Sequence, residues 1–361
     1  MRPPARVGVL GCGVISRQYA ENAKAFDSFE LVACADLDHA QALALDEAHG
    51  FPAVSVAELI ADPSIDAVLN LTPPGVHAAV IHESLAAGKH VYTEKPLATD
   101  AGDAAGLVEE ADRLGLRLAC APDIFLGGPY QVARRLIDEG AIGEPLAVNA
   151  AMLVGGQESW HPNPDIFFAD GAGPLLDMGP YYVSAIVALL GPVRRVAGFA
   201  STRTRERTIE IGPRAGERFA VATPTHAAAS MELESGVTAN LLASFEATGQ
   251  YVCDLVIHGT EGALALPDPN AFAGPLRVRR GRAGWQEVPL PSRNGRDARG
   301  IGLHELVEAI ASGRAPRASG RLGLHVVEVA RGILRSAEEG RTIEIETRVD
   351  QPEAMPAASI A

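Results

Sequence analysis

Val7-Gly8-Val9-Leu10-Gly11-Cys12-Gly13-Val14-Ile15-Ser16 decides how the first third of this chain folds. Four residues with strand character run straight into a Gly-x-Gly turn, and the turn opens an Ala-containing helical stretch. The first glycine, Gly11, permits the bend. The second, Gly13, lets backbone N–H groups approach a pyrophosphate at the positive end of the helix, with Val14 and Ile15 in its first turn. Ser16 stands where a third Gly or Ala is commoner. A lone Gly-x-Gly suits any tight strand-to-helix turn, so the flanking sequence carries the weight.

That flanking sequence alternates short apolar runs with Ala-rich stretches. Val7-Leu10, Leu31-Ala35, Ala67-Leu71, His90-Thr93 and Leu116-Cys120 read as strands, with helices between them. Continuous apolar strands joined by helices predict a doubly wound parallel sheet covered on both faces, a Rossmann domain over residues 1–122. Asp36 ends the second strand, 23 residues after Gly13. A carboxylate there hydrogen-bonds the adenosine ribose and repels a 2'-phosphate, and with Asp38 close by the pattern favours NAD over NADP. Thr72-Pro73, with His77 beyond, and Glu94-Lys95-Pro96 follow two further strands. Ligands bind at such carboxyl ends, so Thr72 and Pro73 are placed to line the dinucleotide and Lys95 to reach its nicotinamide end. His77 suits a helix start better than chemistry. Asp123, directly after the last strand, is placed for ribose or substrate.

Only Lys24, Lys89 and Lys95 are lysines among 31 basic residues. Arginine carries surface charge equally well but does not exchange protons, whereas a lysine in a cleft can be tuned to do so. Lys24 and Lys89 read as ordinary surface lysines, which leaves Lys95 as the candidate functional amine.

The length of 361 residues predicts two domains, and a formal charge of -14 argues against a nucleic-acid partner or an anionic membrane surface. The four cysteines are far apart, with neither metal-ligand nor disulfide spacing, so no metal is expected. No secretory leader and no spanning segment is read, and a cytoplasmic location is expected.

Residues 123–346 change character. Gln131 to Glu139 reads as a helix and Leu146 to Val154 as a strand. Between His226 and Glu246, alternate apolar positions around Glu234-Ser235-Gly236 predict a hairpin with one buried face. Further strands are expected at 251–258, 263–266, 276–280 and 341–346, with helices at 303–311 and 322–338. A mainly antiparallel, open sheet in an α+β domain follows, and 347–361 reads as a loose tail. The loop Gln157-Glu158-Ser159-Trp160-His161-Pro162-Asn163-Pro164 is polar and aromatic. Trp160 and His161 either meet a hydroxylated substrate or pin the loop to the sheet. If Asp177 starts a helix with Pro180 in its first turn, Asp177 and Tyr181 share one face.

Taken in order, the Gly-x-Gly turn, Asp36, Thr72-Pro73 with His77, Glu94-Lys95-Pro96, and Gly171-Ala172-Gly173-Pro174-Leu175-Leu176-Asp177-Met178-Gly179-Pro180-Tyr181 resemble the Gfo/Idh/MocA oxidoreductases, the family of glucose-fructose oxidoreductase and inositol 2-dehydrogenase. The resemblance runs from residue 6 to about 345. It implies an NAD(P)-dependent oxidoreductase acting on a secondary hydroxyl or ketone of a sugar, polyol or related cyclic alcohol, as a homodimer or homotetramer formed through the C-terminal sheet. It also implies that Lys95 lies beside nicotinamide and substrate. The family's Asp-x-x-x-His pair departs here, because Tyr181 stands in place of His. Lys95, Tyr181 and Asp177 are thus the expected catalytic set, with either Lys95 or Tyr181 as proton carrier. An NAD-dependent glycosidase and a catalytically silent NAD-binding regulator are the alternatives that the resemblance leaves open.

Overall fold

The computed structural model describes residues 3–247, 251–290 and 298–356. Along the chain run β1 (Ala5–Leu10), α1 (Val14–Ala23), β2 (Phe29–Ala35), α2 (His39–His49), α3 (Val56–Ala61), β3 (Ala67–Asn70), α4 (His77–Ala86), β4 (His90–Thr93), α5 (Ala101–Leu114) and β5 (Leu118–Cys120). Then come α6 (Gly128–Asp138), β6 (Pro145–Leu153), α7 (Pro174–Asp177), α8 (Gly179–Leu190), β7 (Val193–Ser201), β8 (Glu206–Thr208), β9 (Arg218–Ala220), β10 (His226–Leu233) and β11 (Thr238–Ser244). The rest is β12 (Val252–Gly259), β13 (Gly262–Leu266), β14 (Arg277–Arg280), β15 (Gln286–Glu287), α9 (Ile301–Ser312), α10 (Gly320–Glu339) and β16 (Ile343–Glu344).

The described residues divide into two compact units, 3–126 with 298–324 and 127–290 with 325–356. The sequence reading assigned 123–346 to the second domain throughout. Instead α9 returns to the first unit, because Leu303, Leu306 and Val307 belong to the core that also holds Val7, Val9, Leu69 and Tyr92.

In the first unit five parallel strands take the order β2-β1-β3-β4-β5. The four residues Ala67 to Asn70 are all buried, as expected of a strand covered on both faces. One face packs the cluster around Val9 and Leu306, the other a second cluster of Leu10, Ala35, Leu59 and Val68. The order reverses between β1 and β3, and a crevice opens at such a switch point outside the carboxyl ends of the strands. Lys89 is not the surface lysine it was taken for. It is 6% exposed, and its ammonium donates to the carbonyls of Asp62 and Ile65.

In the second unit nine strands take the order β15-β14-β13-β12-β6-β11-β10-β7-β16. Only β6 with β11 is parallel among these pairs. The hairpin of β10 and β11 pairs Ala227 with Ala243 and Met231 with Ala239, and all four side chains are buried, as the alternation predicts. β7 was not read from the sequence. The charged pair Arg194-Arg195 and Gly198 break up its apolar alternation, and its glycine is needed because a Cβ there would lie 2.9 Å from Ile333 of α10. The expected loose tail is instead tied down as far as Met355. Arg134 donates to Pro352, Gln351 to Ala188, and Met355 N–H to Gln131. Residues 357–361 of that tail lie outside the described residues. Among the described residues, no helix is long and apolar enough to cross a membrane.

Candidate active site

In the first unit the expected cofactor residues gather at the carboxyl ends of β1, β3 and β4. Gly11 has φ +94°, and a Cβ on it would stand 2.6 Å from the carbonyl of Leu71, so the turn after β1 lies directly against the chain leaving β3. Only glycine fits both demands. Gly13 is extended, precedes α1 without any side-chain cap, and has open space where its Cβ would project. Val14 is 81% exposed at the helix start, with half-buried Ile15 beside it. This uncapped, unobstructed helix end is the form a dinucleotide pyrophosphate requires. Ser16 replaces the third small residue without disturbing it, because its hydroxyl folds back onto the Gly13 carbonyl at 2.7 Å.

Asp36 ends β2 beside the same turn. One carboxylate oxygen accepts the Cys12 N–H at 2.7 Å and the other accepts the Asp38 N–H at 2.9 Å. Each oxygen retains a lone pair for a further donor. Leu37, 96% exposed, follows it.

Thr72 is half-buried and Pro73 exposed. Buried Asn70 sets this strand end. Its side-chain Oδ1 accepts the Thr72 N–H and hydroxyl, and its side-chain amide donates to the Thr93 hydroxyl at 3.1 Å on the neighbouring strand. His77 starts α4, as the sequence reading favours. It heads α4 fully buried, with Nδ1 2.7 Å from the Pro96 carbonyl and Nε2 2.7 Å from the Thr72 carbonyl. Burial lowers its pKa.

Glu94 is 8% exposed and turned inward. Its carboxylate accepts the Tyr19 hydroxyl at 2.9 Å and the Lys95 N–H at 3.1 Å, and pairs with Arg299 at 3.5 Å. Tyr19 and Arg299 were missed in the sequence, since they lie 75 and 205 positions from Glu94. Lys95, half-buried, thus follows a residue gripped on three sides. Asp123 lies in the interior directly after β5. It is 1% exposed, accepts the Gly302 N–H at the start of α9 at 2.7 Å, and has its pKa raised by burial.

In the second unit Asp177 closes the one-turn α7, and Tyr181 lies in α8 after a break at Met178. The expectation that Asp177 starts the helix of Tyr181 is corrected. Pro180 has no N–H to continue the α7 hydrogen-bond ladder, so it ends one turn and starts the next. Tyr181 is 6% exposed and Asp177 half-buried.

Trp160 is 60% exposed. Trp160, His161 and Phe167 form one cluster, with His161 edge-on to both neighbours at 5.5 and 5.1 Å. The loop beneath is held by Arg207, which was not singled out in the sequence. It pairs with Glu158 at 2.5 Å and Glu246 at 2.8 Å and covers the Phe168 ring at 4.7 Å. Among the described residues, no three His, Cys, Asp or Glu side chains are grouped to hold a metal.

Comparison with known proteins agrees with this architecture. Residues 5–121 match the family model described as "Oxidoreductase family, NAD-binding Rossmann fold", and residues 130–265 match the "GFO/IDH/MocA C-terminal domain". The 1,5-anhydro-D-fructose reductase of Ensifer adhaerens is 27% identical over 95% of this chain and 99% of its own. A dTDP-3,4-didehydro-2,6-dideoxy-alpha-D-glucose 3-reductase of Streptomyces violaceoruber is 31% identical over 85% of this chain and 86% of its own. Among solved structures, a levoglucosan dehydrogenase in complex with NADH shares the fold, with a TM-score of 0.84 at 21% identity, covering 96% of this chain and 100% of that one. With both halves matched and the nucleotide turn intact, the chain belongs to the GFO/IDH/MocA family and is an NAD(P)-binding oxidoreductase.

Proposed function

We propose that this protein transfers a hydride between a nicotinamide and a secondary hydroxyl or ketone of a sugar or polyol. The observation that carries the proposal is the placement of Lys95. It follows β4 at the same sheet end as the Gly11–Gly13 turn and Asp36, with its backbone N–H fixed by Glu94. The relatives act on sugars or sugar derivatives by their names, which supports the substrate class.

A bound nicotinamide supplies the hydride acceptor or donor. The chain supplies placement and the proton. Gly11, Gly13, Val14 and Ile15 hold the pyrophosphate, and Thr72, Pro73 and the backbone of Glu94 line the nicotinamide side. Lys95 donates a hydrogen bond to the reacting oxygen, Tyr181 exchanges its proton, and Asp177 orients the sugar. Trp160 offers an aromatic face to the sugar's C–H surface, with His161 as a polar neighbour.

NAD is the preferred cofactor. Asp36 with Asp38 presents two carboxylates where a 2'-phosphate would stand, and charge repulsion there disfavours NADP. Self-association takes place through the uncovered face of the nine-stranded sheet, where Phe199 is 82% exposed among small residues such as Ala151, Ala197 and Ala228.

The test is absorbance at 340 nm with NAD+ and with NADP+ against levoglucosan, D-xylose and myo-inositol, and with NADH and NADPH against 1,5-anhydro-D-fructose. Net cofactor turnover on one of these, faster with the NAD form, is expected. Glycoside cleavage without net reduction, or NADH binding without any turnover across a wide sugar panel, would overturn the proposal.

A further inference from the structure

His77 is a buried histidine facing two acceptors and no donor. Both ring nitrogens are 2.7 Å from main-chain carbonyls, Nδ1 from Pro96 and Nε2 from Thr72. A neutral imidazole carries one N–H, so it donates to only one of them. The charges that bear on the ring are Glu94, which favours the cation, and Lys95, which opposes it. Burial outweighs both and the two carbonyls, and keeps the ring neutral.

Where the single proton sits follows from solvent access. Pro96 is buried and so is its contact with Nδ1, whereas Thr72 is half-buried and its contact with Nε2 is partly open. A buried carbonyl without a donor is destabilising, while one that water reaches is satisfied by water. The proton therefore belongs on Nδ1. Pro96 directly follows Lys95, and Glu94 already fixes the Lys95 N–H from the other side.

We propose that His77 is a positioning residue, which donates Nδ1–H to the Pro96 carbonyl and so holds the backbone on which Lys95 is carried. Glu94 and His77 grip the chain on either side of Lys95. The inference rests on the reading of Lys95 as catalytic.

Two isosteres separate the two nitrogens. His77→Asn places an amide N–H near the position of Nδ1, and His77→Gln places one near Nε2. Among folded variants with matching melting curves, His77→Gln should have a kcat roughly tenfold or more below that of His77→Asn, because small misplacements of a reacting group are costly in turnover. The Kd for NADH, measured by fluorescence titration, should differ little between the two. In a Lys95→Ala background the difference should vanish. Independently of any substrate, nitrogen-15 NMR of the imidazole should show the proton on Nδ1. Equal kcat values, a better His77→Gln enzyme, or a proton on Nε2 would each overturn the assignment. Wild-type turnover in Lys95→Ala would overturn the catalytic reading itself. Loss in Lys95→Ala with no difference between the His77 variants would overturn only the positioning role.

Discussion

The carboxylate of Asp36 accepts the N–H of Cys12 at 2.7 Å, so the residue proposed to bind the adenosine ribose also fixes the glycine turn proposed to hold the pyrophosphate. Asp36→Ala should lower kcat/KM for NAD+ by about tenfold or more, the loss of roughly 1.4 kcal/mol. The ratio of activity with NADP+ to that with NAD+ should rise. Asp36→Asn should retain more NAD+ activity, because its carbonyl still accepts one backbone N–H. Steady-state kinetics with both cofactors decides it, and an unchanged ratio would count against NAD preference by charge.

Lys95→Ala should reduce turnover by roughly 10²–10⁴-fold, the usual worth of a positioned acid, base or hydrogen-bond donor. NADH affinity should survive. Tyr181→Phe removes only a hydroxyl and should lower kcat with a small change in KM. If turnover follows one residue and ignores the other, the proton passes through the sensitive one alone.

Arg207 is a buried cation between two carboxylates, its side chain 7% exposed. Arg207→Ala leaves Glu158 and Glu246 without their counter-charge and should cost about 3–5 kcal/mol. Adding Glu158→Gln and Glu246→Gln in the same chain should recover much of the loss. Differential scanning calorimetry measures both effects. A single variant that melts like the wild type would show that this network does not hold the aromatic loop.

His325 is fully buried in α10, accepts the Val193 N–H through Nε2 and contacts the Thr347 hydroxyl through Nδ1. Burial lowers its pKa to about 4, with Glu328 opposing the shift and Arg348 adding to it. The unfolded chain protonates this ring near pH 6.5, the folded chain only near 4. Stability is therefore complete above about pH 6.5 and declines as pH falls toward 4, by roughly 3 kcal/mol at most from this group. Urea unfolding midpoints between pH 7.5 and 4.5 should show the decline, and His325→Gln should flatten it.

Phe199→Glu places a charge in the uncovered sheet face. Light scattering should show smaller particles than for the wild type, with an unchanged circular dichroism spectrum. A wild-type chain that is monomeric at micromolar concentration would dispose of the self-association proposal.

The first unit was legible because its signals are local. A strand, a glycine turn and a helix start lie within ten residues, and the apolar runs of a parallel sheet need no partner to be recognised. The hairpin of β10 and β11 was equally readable, since one buried face writes itself as alternation. Gly11, Gly13, Asp36 and Lys95 came with these elements because each sits at a fixed offset from a strand end.

What sequence alone determined is therefore the nucleotide fold, its turn and the family. Only tertiary structure decided what each polar group does, because hydrogen-bond partners come from distant chain segments. Nothing near His77 or Asp123 announces that one lies between the Thr72 and Pro96 carbonyls and the other accepts the Gly302 N–H. Burial removes water as a partner, and a buried group must then satisfy itself with whatever the fold brings to it.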